Sequence, residues 1–180
     1  MKKKTAVLLY PQFSEYELSV ALSILMQGKK TIVTIGLNNQ PIIGESGLSV
    51  VPDKTVDEVN FDELDSLLLT GCMDILALEN HEKYINFIRD VVTDETIIAS
   101  ISSSPYLLAK AGYLKEKKYT VGMTPENREE SGVFERENYS DELVVKDGNV
   151  ITARGRGFIR FGIYFGNALN LDFDEDWFKE

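Results

Sequence analysis

Apolar residues along the chain alternate between two rhythms. Short unbroken runs rich in Leu, Ile and Val occupy positions 5–10, 31–37, 66–70 and 97–101. Runs of this length, apolar on both faces, mark strands buried in a parallel sheet. Between them the apolar positions recur at helical spacing. Leu18, Ala21, Leu22 and Leu25 follow i, i+3, i+4, i+7. Ser14 is the candidate N-cap of that helix, with Glu17 three residues on, the spacing of a capping box. Gly28 closes it. Tyr84, Ile85, Ile88 and Val92 share one face of a helix over 81–92, with Glu82, Lys83, Arg89 and Asp90 elsewhere. A third helix follows the run at 97–101 and ends at Gly112. A strand, a helix and a strand within about 30 residues form a right-handed crossover, so the strands at 5–10 and 31–37 are expected to be parallel.

The pattern breaks in several places. Residues 41–43 and 48–51 flank a polar, glycine-bounded turn and predict a small hairpin off the main sheet. Residues 56–65 read as a short helix or turn. Residues 119–122 predict a short strand. Residues 124–140 carry Glu126, Glu129, Glu130, Glu135 and Glu137 and read as a surface loop. Two apolar runs at 143–145 and 150–152 flank Lys146-Asp147-Gly148-Asn149, a strong hairpin signal. A last apolar helix covers 158–169. The acidic stretch beyond it carries Trp177 and Phe178, able to dock on the body. With no repeat and no linker, the pattern gives one α/β domain over 1–171 and an acidic tail over 172–180.

The stretch that organises the chain is 97–109. An apolar strand turns abruptly into Ser102-Ser103-Ser104 and resumes as a helix, with Pro105 suited to its first turn. In open α/β sheets, ligands gather at the carboxyl ends of such strands. Ser102 is the residue most exposed by the turn. The three serines also suit a polar nest for an anion at the helix N-terminus.

Composition narrows the function classes. The 180 residues, 43% hydrophobic and 27% charged, suit one globular domain. A net charge of −10 argues against nucleic acid and anionic membranes, which need a basic face. No apolar run approaches a membrane span. The basic Lys2-Lys3-Lys4 is not followed by a secretory apolar region, so a cytoplasmic protein is expected. Cys72 is the single cysteine, which excludes an internal disulfide. The glutamate-rich segment lacks EF-hand spacing and His or Cys partners, so no metal and no cofactor are expected. Arg154-Gly155-Arg156-Gly157 matches no phosphate loop and reads as a turn, with Arg154 facing the pocket as the alternative.

Four blocks, taken in order, resemble the DJ-1/PfpI (ThiJ) branch of the class I glutamine-amidotransferase-like superfamily. They are Ala6-Val7-Leu8-Leu9-Tyr10-Pro11 with Phe13, Tyr16 and Glu17; Leu67-Leu68-Leu69-Thr70-Gly71-Cys72-Met73-Asp74; Ala99-Ser100-Ile101-Ser102-Ser103-Ser104-Pro105 through Gly112-Tyr113-Leu114; and Val145-Lys146-Asp147-Gly148 through Arg154-Gly155. The likeness runs from Lys4 to about Leu171. It implies a flavodoxin-like three-layer α/β/α sandwich, a mostly parallel sheet with a small added hairpin, and a homodimer. It also implies a nucleophile elbow, a cysteine in the family and Ser102 here, beside a protonated glutamate, here Glu17. An oxyanion hole would come from the amides of Ser103 and Cys72, next to Gly71. Hydrolytic members add a histidine base.

Here the departures carry the chemistry. A thiol titrates near ~8.5, whereas a serine hydroxyl needs an adjacent general base. The only histidine, His81, opens a predicted helix well before the elbow and reads as a surface residue. Three functions follow. The first is a family scaffold without its nucleophile that binds an unknown small molecule or a partner with little or no catalysis. The second is a hydrolase, amidase or amidotransferase-like enzyme using Ser102 and Glu17. The third is a redox-responsive protein centred on Cys72, which stands where a glycine usually lines the site.

Overall fold

A computed structural model of the chain describes residues 3–78 and 80–179. Met1 and Lys2 of the basic N-terminal run, Glu79, and Glu180 at the end of the tail lie outside it. The apolar runs become strands β1 (Lys4–Leu8), β2 (Ile32–Gly36), β3 (Ile42–Ile43), β4 (Ser49–Val50), β5 (Lys54–Thr55), β6 (Leu64–Leu69), β7 (Ile97–Ile101), β8 (Val144–Asp147) and β9 (Val150–Ala153). The helical patterns become α1 (Glu15–Gln27), α2 (His81–Val91), α3 (Pro105–Ala111), α4 (Pro125–Glu130) and α5 (Phe158–Ala168).

Seven strands form one sheet in the order β5-β2-β1-β6-β7-β9-β8, parallel except for β8 against β9. Its five central parallel strands, counted along the chain, run 2-1-3-4-5, the flavodoxin-like order. β3 and β4 pair antiparallel as a separate two-stranded excursion. α1 packs on α5 and α2 packs on α3, and the two pairs cover opposite faces of the sheet. The central strands are buried on both faces, which explains their unbroken apolar sequence: Ala6, Leu8, Leu67, Leu68, Leu69, Ile98 and Ala99 are fully buried. The chain leaves β1 toward β2 on one side and later fills β6, β7 and β9 on the other. The carboxyl ends of β1 and β6 therefore flank a topological switch point, where such sheets open a crevice.

Local expectations differ from the structure in five places. Ser14 occupies the N-cap position of α1 but makes no side-chain cap; its hydroxyl donates to Glu45 Oε1 at 2.7 Å, and Glu17 turns inward. Residues 119–122 make only an isolated parallel bridge, Tyr119 to Tyr139, instead of a strand. The 124–140 segment contains α4, capped by Thr124, whose Oγ1 accepts from the Asn127 amide at 3.2 Å, with Pro125 in the first turn. The edge strand β5 is too short to leave a periodic signal. In the tail, Trp177 stands 73% exposed. Among the described residues no helix is long and apolar enough to cross a membrane.

Candidate functional site

Four strand ends deliver the site. β7 ends at Ile101 and the chain reverses at Ser102, whose φ of 64° lies in the left-handed region that side chains with a Cβ avoid. The turn is pinned from both sides. The Ser102 amide donates to the Ala153 carbonyl after β9 at 2.7 Å, and the Gly122 amide donates to the Ser102 carbonyl at 2.7 Å. Ser104 is fully buried and structural: its hydroxyl pairs with Ser100 Oγ at 2.7 Å and reaches the carbonyls of Ile101 and Leu69. Ser103 faces the cavity.

Glu17 comes to the same point from the first turn of α1 and is 3% exposed. Its Oε2 accepts from the Gly71 amide at 2.9 Å, and its Oε1 accepts from the Tyr16 hydroxyl at 3.3 Å. The Ser102 hydroxyl lies beside the same carboxyl. Burial raises the carboxyl pKa above its ordinary value, against the lowering effect of the nearby Ser102 hydroxyl and of the bonds from Gly71 and Tyr16. The closeness of these groups is visible at two glycines. A Cβ added at Gly71 would sit 2.7 Å from both Glu17 Oε2 and Ser102 Cβ. One added at Gly155 would sit 2.5 Å from Glu17 Oε1 and 3.4 Å from Ser102 Oγ.

Ser102, Ser103, Glu17 and Cys72 line a cavity of about 480 Å³, within the range of small-molecule sites. Its far wall comes from Met123, Thr124 and Asn127, ahead of and within α4. The two amides expected to form an oxyanion hole are not equivalent. The Ser103 amide has no acceptor among the described residues, whereas the Cys72 amide points at Ser103 Oγ, 3.3 Å away. The Cys72 thiol is half-buried, and its pKa is pushed up to about 12 by burial, opposed by a backbone contact at Asp74 and reinforced by the negative charges of Asp74, Glu17 and Glu45.

The structure thus brings together Ser102, Glu17, Gly71, Cys72 and Ser103. His81 lies elsewhere: its Nδ1 is 3.3 Å from the Leu78 carbonyl and its Nε2 3.2 Å from Lys110 Nζ and 3.4 Å from Glu82, and it does not line the cavity. Arg154 turns away, donating to Asp141 at 2.9 Å and to the Tyr139 hydroxyl. No group of three or more His, Cys, Asp or Glu suited to a metal ion occurs among the described residues. Pattern reasoning passed over Glu45, Asp74 and Asn127, which also line the cavity. Asn127 had a visible signal, the Thr124-Pro125 helix start, and Asp74 stood at the end of the second family block; Glu45 had none.

Comparisons with known proteins converge on one group. A family profile described as the DJ-1/PfpI family matches residues 3–165. An uncharacterized protein of Methanocaldococcus jannaschii is 30% identical over 162 residues, 87% of this chain and 77% of that one. A protein of Pyrococcus furiosus named deglycase PfpI is 31% identical over 148 residues, 81% of this chain and 86% of that one. In fold, the chain superposes on a thiJ/pfpI family protein from Bacillus anthracis with a TM-score of 0.87 at 21% identity, covering 99% of this chain and 89% of the other.

Proposed function

The chain belongs to the DJ-1/PfpI family, and within it we propose a protein that binds a small molecule in the Ser102 cavity with little or no turnover. One observation carries this reading: the acid–base partner of the elbow serine is Glu17, a buried carboxyl, and no histidine lines the cavity. A serine becomes a nucleophile when a neighbouring base takes its proton near neutral pH. Burial favours the neutral form of Glu17, which has no lone charge to receive that proton. Ionised, it remains a far weaker base than an alkoxide. The elbow occupies the position the family gives to a cysteine, and Ser102 keeps the shape of the turn without the acidity of a thiol.

Catalysis by Ser102 is the second reading, favoured by the left-handed turn that presents its hydroxyl beside Glu17 and by the unpaired Ser103 amide at the same point. Relatives of Pyrococcus furiosus and Thermococcus kodakarensis are named deglycases, which places enzymes in the same family. A fluorophosphonate probe separates the two. The binding reading expects no covalent adduct by mass spectrometry. A stoichiometric adduct on Ser102, absent from Ser102→Ala, overturns it and establishes the enzyme. The family resemblance also carries a cytoplasmic homodimer into this proposal; sedimentation at the monomer mass would remove the dimer.

A further inference from the structure

The Ser102 cavity has a neighbour. A second cavity of about 680 Å³ opens on the other side of the β3–β4 excursion, floored by Tyr84 and walled by Pro11, Leu37, Ile42 and Ile43. The two cavities share Glu45 and Met73 as a common lip. Tyr84 is 2% exposed while Ile43 is 58% exposed, so core floors the cavity and Ile43 sets an apolar patch in a rim that Gln12, Asn38, Gln40 and Asn80 make partly polar.

Glu45 is held in place at this lip. Its amide donates to the Phe13 carbonyl at 2.9 Å, and its Oε1 accepts from the buried Ser14 hydroxyl at 2.7 Å. Its Oε2 has no partner among the described residues. The excursion carrying it is clamped to α1 by Glu15, whose carboxylate accepts from the amides of Ser46 at 3.0 Å and Leu48 at 3.2 Å. A carboxylate fixed at one oxygen and free at the other is preorganised for a cation or a hydrogen-bond donor. The surrounding charge agrees. Glu45 and Asp74 line the first cavity, and among the described residues no Lys, Arg or His lines either. That balance opposes the anion suggested by the serine nest.

We propose that the two cavities form one bipartite site for an extended amine: a cationic, hydrogen-bonding head lies on the Ser102 side of Glu45, and an apolar chain lies over Tyr84 and Ile43. This rests on the small-molecule reading above and adds the charge and shape of the ligand.

The test uses n-hexylammonium, ethylammonium and hexanoate as probes, titrated into the isotope-labelled full chain and followed by amide shifts. Hexylammonium is expected to move amides of both cavities, including Ile43 and Ser103. It should bind at least about tenfold more tightly than ethylammonium, since each buried methylene contributes ~0.8 kcal/mol. Glu45→Gln should weaken it about fivefold, an effect that fades in high salt. Ile43→Ser, an uncharged surface change, should remove most of the chain-length gain. Equal binding of hexanoate overturns the charge selection. Shifts confined to the Ser102 side, with no gain from the longer chain, overturn the bipartite site and leave the small-molecule reading standing. Absence of any shift with every probe overturns the inference, and an accompanying fluorophosphonate adduct on Ser102 would locate the failure in the small-molecule reading itself.

Discussion

The left-handed backbone at Ser102 has a cost that two substitutions can isolate. Ser102→Ala and Ser102→Gly both remove the hydroxyl beside Glu17, so their difference reports the Cβ alone. At a φ of 64° the Cβ crowds the following carbonyl, a strain of roughly 1–2 kcal/mol that glycine escapes. Glycine in return makes the unfolded chain more flexible, which subtracts roughly 0.5–1 kcal/mol. The half-buried position leaves little packing to lose. The net expectation is Ser102→Gly more stable than Ser102→Ala by about 1 kcal/mol, or about 2–4 °C in Tm for a domain of this size. Urea unfolding read by circular dichroism, with calorimetry as a second probe, measures the difference. Equal stabilities, or a more stable alanine variant, would show that the elbow is not strained and that its geometry comes from sequence preference rather than from the surrounding hydrogen bonds.

Other consequences follow from the same cluster. Gly71→Ala places a Cβ 2.7 Å from both Glu17 Oε2 and Ser102 Cβ; an overpacking loss of about 1–3 kcal/mol is expected by urea unfolding, and a neutral result would mean the two side chains are free to part. Glu17 titrates above its ordinary value because of burial. As pH rises from the usual carboxylate range through the raised folded value, the unfolded chain ionises first and native stability falls. Glu17→Gln, which cannot ionise, should abolish that fall, so parallel wild-type and variant stability–pH curves would contradict the assignment. With its pKa pushed up to about 12, native Cys72 should react with iodoacetamide at pH 7 on the order of a thousandfold more slowly than in the unfolded chain. A rate that levels off below pH 9 would restore the redox role.

What the sequence made readable, and what it concealed, divides along the reach of the interactions. The central strands announce themselves because burial on both faces demands unbroken apolar residues, and β8 and β9 because Gly148, with a φ of 58°, suits a tight hairpin. The elbow could be located because a strand, three serines and a proline-started helix are all local. The capping-box reading of Ser14 and Glu17 failed because their spacing satisfies that motif while their actual partners are Glu45 and the Gly71 amide, 31 and 54 positions away; the pocket role that the family resemblance implies for Glu17 agrees with its place beside Ser102. α4 was legible in Thr124-Pro125 and was outweighed by the charge of the segment around it. Glu45 was invisible. Its place at the lip depends on Ser14, Phe13 and the clamp at Glu15, none of which leaves a periodic trace.

These long-range contacts bear on what the elbow is for. Gly71 and Gly155 leave room for Glu17 against Ser102, and a Cβ at Gly122 would approach Ser102 Cα to 3.1 Å. Main-chain bonds from Ala153 and Gly122 hold the turn whatever side chain stands at position 102. The strained geometry is therefore maintained by neighbours and does not depend on a nucleophile. A narrow, glycine-lined corner around a hydroxyl and a buried carboxyl fits a cavity that selects its occupant by shape and hydrogen bonding. Reactivity requires a base at this corner, and Glu17, its pKa raised by burial, is the titratable group beside Ser102 on which that turns.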